Sequence, residues 1–155
     1  MPDVGRPAPD FALLDHRGEQ VALKDFRGRT VVLFAFPRAN TGGCNAQALG
    51  FNERLDDLAR LGAVVVGMSP DSPEKLARWR QGKDLRFDLL SDPEHRVIEM
   101  YGAWGEKKLY GKTYHGVIRS HWIIGPDGTL LDQQIKVSPR ISVERAVRFL
   151  EEHRS

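Results

Sequence analysis

Residues 31–51, reading VVLFAFPRANTGGCNAQALGF, constrain this chain more than any other stretch. They open with six apolar residues, 31–36. A run that short and that β-branched predicts a central strand buried on both faces. Pro37 ends it, and Asn40, Gly42 and Gly43 mark a tight loop. Helical spacing follows. Ala48, Phe51, Leu55 and Leu58 fall on one face, which predicts a long helix to about Leu61, stopped by Gly62. Cys44 stands where loop becomes helix. The first turn of a helix offers unpaired N–H groups and the positive end of the macrodipole, and both favour an anion. A thiolate is an anion, so a cysteine so placed is set up as a nucleophile.

That cysteine is the only one among 155 residues, so neither an intrachain disulfide framework nor a zinc site of several cysteines can form. A single thiol suits a reducing compartment. The opening residues, MPDVGRPAPDF, lack the apolar stretch of a signal peptide, and no run approaches membrane-spanning length. The cytoplasm is therefore the expected location, with no membrane partner. The net charge of +2 is too small to argue for nucleic acid. At 41% hydrophobic and 28% charged residues, the composition is that of an ordinary soluble globular protein. No repeat, low-complexity tract or linker divides the chain, and residues 1–155 are expected to form one domain.

Residues 1–9, rich in Pro and Gly, should lie over the surface. Residues 11–14 and 20–23 flank the turn residues Asp15, His16, Arg17 and Gly18, which predicts an N-terminal β-hairpin. After the central strand and long helix, residues 64–68 predict a second buried strand. Ser72, Pro73 and Glu74 supply the cap, first position and first-turn acid of a helix to about Gln81. Residues 87–90 predict a short strand. Asp92, Pro93 and Glu94 repeat the cap signal for a short helix to Tyr101. Between 102 and 116 the pattern is lost, and four glycines predict an exposed loop. Residues 117–124 predict a strand, 126–128 a turn and 130–135 its antiparallel partner. Ser142 is expected to cap a last helix with Val143, Ala146, Val147 and Leu150 on one face. Strands alternating with helices predict an α/β architecture, a largely parallel sheet with an antiparallel edge.

Pro37, Thr41 and Cys44 reproduce the Pro-x-x-x-Thr-x-x-Cys signature of the peroxiredoxins. The chain resembles their bacterioferritin-comigratory-protein branch, the Q-type, over nearly its whole length. Residues 11–14, Gly18 and 23–28 match its N-terminal hairpin and Leu-x-Asp-Phe-Arg-Gly segment, and Gly50-Phe51 follow the cysteine. Residues 66–73, Leu90-Ser91-Asp92, Tyr101-Gly102, Tyr110-Gly111-Lys112 and 116–124 with Arg119 recur in order. The resemblance implies a thioredoxin-like α/β fold of the peroxiredoxin type with an N-terminal β-hairpin. It implies a thiol-dependent peroxidase in which Cys44 attacks hydrogen peroxide or an alkyl hydroperoxide and becomes a sulfenic acid. It also implies roles for the neighbours of Cys44. Arg119, always cationic, would stabilise the thiolate and polarise the peroxide. Thr41 Oγ would exchange hydrogen bonds with the peroxide oxygens. The backbone N–H groups of Gly43 and Cys44 would point into the same pocket, and Pro37 would shield the thiolate from water. No cofactor and no metal is implied, and the branch suggests a monomer or weak homodimer.

The chain departs from the family in three places. Gly42 replaces the proline of the usual Thr-Pro-Gly-Cys. Gln47 stands where the branch often has Glu. No second, resolving cysteine exists: Leu49 occupies one of its usual positions and Arg80 lies near the other. Regeneration would therefore need an external thiol, such as thioredoxin, glutaredoxin or glutathione. The alternative is a redox sensor or regulatory binding protein, in which oxidation of Cys44 switches a partner surface without turnover.

Other patterns carry less. Residues 105–113, GEKKLYGKT, place five residues between glycines where a phosphate-binding loop needs four. His16, His95, His115, His121 and His153 show no metal-ligand spacing or accompanying carboxylates, and read as surface or half-buried. Trp79, Trp104 and Trp122 read as packing. The absence of a Cys-x-x-Cys argues against a disulfide exchanger.

Overall fold

The computed structural model describes residues 2–153. In chain order the elements are β1 (Ala12–Asp15), β2 (Gln20–Ala22), a 3₁₀ turn (Leu23–Phe26), β3 (Thr30–Ala35), α1 (Gly42–Glu53), α2 (Leu55–Arg60), β4 (Ala63–Ser69), α3 (Pro73–Gly82), β5 (Asp88–Ser91), α4 (Arg96–Met100), β6 (Trp104–Leu109), β7 (Lys112–Val117), β8 (Ser120–Ile124), β9 (Leu130–Gln134) and α5 (Pro139–Glu152). Seven strands form one sheet in the order β2-β1-β5-β4-β3-β8-β9, while β6 and β7 pair apart from it. The pairs β3–β4 and β4–β5 are parallel and the others antiparallel, so the sheet is mixed rather than largely parallel as expected: the N-terminal hairpin and β8–β9 add antiparallel strands on both sides of the parallel centre.

The apolar run is the inner strand it was expected to be. Successive side chains of a strand point to opposite faces. Val31, Leu33 and Ala35 join Val66, Met68, Ile98, Tyr101 and Trp122 on one face. Val32, Phe34 and Phe36 join Cys44, Phe51, Leu58, Trp79 and Val147 on the other. The Phe34 ring stacks on Phe51 of α1 at 5.0 Å, and Phe36 lies 5.0 Å from Trp79 of α3. Each aromatic side chain so buried contributes about 1.5–3 kcal/mol, which fixes α1 beneath the exit of β3. On its other side α1 meets α5 so closely that a Cβ on Gly50 would stand 2.9 Å from Val143 Cγ2.

The N-terminal hairpin forms as expected, its turn held by Asp15 Oδ1, which accepts from the N–H groups of Arg17 and Glu19. From Pro2 onward the first residues are mostly exposed, with Ala8 buried; Met1 lies outside the described residues. Ser72 caps α3 as expected, its hydroxyl accepting from Lys75 N.

Elsewhere the structure corrects the reading. The long helix is two helices, divided where Arg54 leaves helical geometry; just before the break the side chain of Asn52 donates to Asp84 O and accepts from Arg86 N. The loop expected over residues 102–116 is largely the β6–β7 hairpin. Tyr110 and Gly111, both at positive φ, make its two-residue turn. The single strand expected over 117–124 is interrupted: Ile118 and Arg119 leave the ladder between β7 and β8. α4 starts at Arg96 behind His95 rather than at the Asp92 cap, although Asp92 Oδ2 still accepts from Ile98 N. α5 starts one turn before Ser142, with Ser138 as its N-cap and Pro139 at its first position.

Candidate active site

Cys44 is the third residue of α1 and is fully buried. Thr41 is the N-cap, but its hydroxyl donates to Arg38 O at 2.9 Å instead of capping the helix. The N–H groups of the first turn have no acceptor within the helix, so those of Gly43 and Cys44 remain free to meet an anion. The loop before the helix is anchored from outside. Asp71 Oδ2, beyond β4, accepts from Ala39 N at 2.7 Å and from Ser69 Oγ at 2.8 Å. Asn45 Oδ1 accepts from Trp79 Nε1 at 2.7 Å, tying α3 to the first turn of α1. Pro37 stands half-buried at the exit of β3.

Arg119 arrives from 75 residues away. The break between β7 and β8 turns it out of the sheet, and its carbonyl is held by Val137 N at 2.9 Å. Its Nη2 donates to Cys44 Sγ at 3.4 Å and its Nη1 to Gln47 Oε1 at 2.8 Å. The guanidinium lies so close over α1 that a Cβ on Gly43 would come within 2.8 Å of Nη2. Only glycine leaves that space. A cation thus lies on the sulfur at the N-terminal turn of α1, an arrangement that can hold the charge passed to a departing oxygen.

Beside Arg119 opens a groove of about 670 Å³. Ile118 and Val137 supply its apolar walls and Lys107, Lys108 and Lys136 its charge. Lys107 Nζ donates to Val117 O at 2.9 Å. Burial and then the Arg119 charge hold its pKa below the usual lysine value, while Cys44 pulls the other way.

Of the five residues singled out, the structure brings Arg119 onto the Cys44 sulfur and over Gly43, and places Thr41 at the N-cap of the same helix and Pro37 half-buried at the exit of β3. Two more residues reach the site: Gln47, noted only as a departure from the branch, and Ser142, expected only as a helix cap. Gln47 is buried between Arg119 and Ser142, and Ser142 pairs with His121. His121, expected at the surface or half-buried, is wholly buried. Its place inside the apolar strand Ser120–Ile124 was the available signal, because a polar side chain there needs a partner. His16 also departs from expectation: with Asp15 and Asp88 it forms a group whose ligand atoms lie within 4.8 Å of one another. Asp15 there is already committed to Arg17 Nε and Nη2 and to two backbone N–H groups.

The model of the AhpC/TSA family matches residues 4–133. The chain belongs to that family. Peroxiredoxin Bcp of Escherichia coli strain K12 is 46% identical over 127 residues, which are 82% of this chain and 81% of that protein. The crystal structure of peroxidoxin BcpB from Mycobacterium tuberculosis superposes with a TM-score of 0.88 at 29% identity, covering 100% of both chains. The Xanthomonas campestris bacterioferritin comigratory protein, solved to address its alkyl peroxide reduction activity, superposes with a TM-score of 0.90 at 25% identity, covering 99% of this chain and 100% of that one. The fold is thus thioredoxin-like in its peroxiredoxin form, and the chain is a thiol-dependent peroxidase. Among the described residues no helix is long and apolar enough to cross a membrane.

Proposed function

We propose that residues 1–155 act as one cytoplasmic peroxidase domain that reduces hydrogen peroxide and alkyl hydroperoxides through Cys44 alone. The observation that carries this reading is the Arg119 guanidinium on Cys44 Sγ at 3.4 Å, above the free N–H groups of α1. The thiolate attacks the terminal peroxide oxygen. An S–O bond forms, the O–O bond breaks, and the departing oxygen leaves as water or alcohol after taking a proton. Arg119 and the N–H groups of Gly43 and Cys44 hold the charge as it moves. Thr41, whose hydroxyl proton is already given to Arg38 O, keeps oxygen lone pairs for a peroxide O–H. Pro37 limits water at the mouth.

The sulfenic acid formed has no internal partner, since Cys44 is the only cysteine. One external thiol condenses with it, releasing water and leaving a mixed disulfide. A second thiol releases Cys44 and carries away the oxidised pair. The cationic groove beside Arg119 supports the approach of an acidic thiol, whether glutathione or an acidic face of thioredoxin or glutaredoxin. The working unit is a monomer or weak homodimer. The test is steady-state peroxide consumption with thioredoxin, glutathione and a small dithiol in turn. Turnover with at least one donor is expected. Consumption of a single equivalent, with none of the donors supporting more, would make Cys44 a sensor instead.

A further inference from the structure

The peroxidase chemistry makes no direct use of His121, yet a continuous line of hydrogen bonds joins it to the site. His121 Nδ1 lies 2.7 Å from Ser142 Oγ on α5. Ser142 Oγ accepts from Gln47 Nε2 at 3.0 Å, and Gln47 Oε1 accepts from Arg119 Nη1 at 2.8 Å. We propose that His121, acting through Ser142, is a positioning residue: it sets the direction of this line so that Gln47 presents its oxygen, and never its nitrogen, to Arg119.

The two ends of a glutamine amide have nearly the same shape, so packing does not distinguish them. Turned about, Gln47 would aim its NH₂ at a guanidinium, donor against donor, and Arg119 would lose the acceptor that steadies it over the sulfur. Ser142 forbids the turn by accepting from Nε2. A hydroxyl that accepts must still send its own proton somewhere. The usual recipient in a helix is the carbonyl four residues back. Here the hydroxyl pairs instead with His121 Nδ1, 2.7 Å away. Nδ1 must then be bare, which places the single proton of a neutral imidazole on Nε2. Nε2 is buried and has no hydrogen-bond partner among the described residues. A neutral ring is what burial, and secondarily Arg145, enforce. With a proton on Nδ1 the hydroxyl would be driven to point at Gln47, and the amide would reverse.

Two experiments test this, and only the second rests on the peroxidase reading. In wild-type protein labelled with ¹⁵N-histidine at neutral pH, the imidazole nitrogen shifts of His121 should report the Nε2–H tautomer. The Nδ1–H tautomer would overturn the proposal. In kinetics, Ser142→Ala frees the amide and should slow reaction with peroxide about tenfold while leaving alkylation by iodoacetamide within about twofold, because only the peroxide needs Arg119 accurately placed. The control is Gln47→Glu, whose carboxylate has two oxygens and no wrong end. In that background Ser142→Ala should cost almost nothing. An equal loss in both backgrounds, or equal slowing of both reagents, would refute the positioning role. If Ser142→Ala fails to fold, the tautomer measurement decides alone. Wild-type protein that consumes no peroxide would sink the peroxidase reading and leave the tautomer result standing.

Discussion

His121 makes the stability of the fold sensitive to acid by a calculable amount. In the unfolded chain its imidazole takes a proton near the ordinary value of 6.5. In the sheet, burial and then the Arg145 charge push that value down to about 4. Between these limits the unfolded state binds a proton that the folded state does not. Stability therefore falls as pH drops from 6.5 towards about 4, and His121 contributes no further loss below that. At about 1.36 kcal/mol for each tenfold change, the loss over the window is about 3 kcal/mol. That is a large share of the 5–15 kcal/mol, roughly, that holds a typical domain together. The assay is urea unfolding of the wild type and of His121→Gln at several pH values across the window. Glutamine keeps a partner for Ser142 and cannot ionise. Asp15, Asp57 and Asp127, whose hydrogen bonds hold them below 3.8, lose their contributions at lower pH and equally in both proteins. The expected result is that the wild type loses about 3 kcal/mol more than the variant on acidification. Parallel curves would mean that the folded imidazole charges freely, and would refute the burial account.

Arg119→Met should slow reaction with peroxide by about 10²–10³ and alkylation by iodoacetamide far less, since iodoacetamide develops no charge on oxygen. Stopped-flow rates with both reagents check this; equal slowing would confine Arg119 to the thiol itself or to folding. Gly43→Ala should separate stability from rate. The new Cβ meets Arg119 Nη2 at 2.8 Å and displaces it, while alanine favours the helix by up to about 1 kcal/mol, so peroxide reduction should fall with the melting temperature unchanged or raised. Graded peroxide without thiol should give a dimedone-trapped sulfenic acid first and then the mass of two added oxygens, read by intact-protein mass spectrometry. A quantitative disulfide-linked dimer at one equivalent would instead place the resolving thiol on a second chain.

The centre of the molecule was legible because its signals are local. The apolar run of β3, the helical spacing after it and the cysteine between them all sit within residues 31–51. Arg119 was legible only through resemblance, because its approach to Cys44 depends on a two-residue break in a distant strand pair. The β6–β7 hairpin was missed for a physical reason. It lies outside the main sheet, so its outer half is exposed and carries little apolar alternation, and its turn places a tyrosine, Tyr110, at positive φ where Asn or Gly is the usual signal. The start of α5 was misplaced because Ser142 looks like a cap, whereas Ser138 followed by Pro139 is the stronger one. Ser142 was thereby free for an inward role that a one-dimensional reading hides. His121 and Gln47 lie 74 positions apart and come together only across Ser142.

The two faces of β3 give one strand two kinds of inheritance. Residues 31, 33 and 35 look toward Trp122 and Tyr101, on the face of the sheet opposite the sulfur, so a conservative exchange there is expected to alter how long the protein survives heat before it alters the rate. Residues 32, 34 and 36 form the bed on which Cys44 and Phe51 rest, so an exchange of the same size there tilts α1 beneath Arg119 and changes the chemistry first. A lineage loses heat resistance with each step along the odd positions and turnover with each step along the even ones.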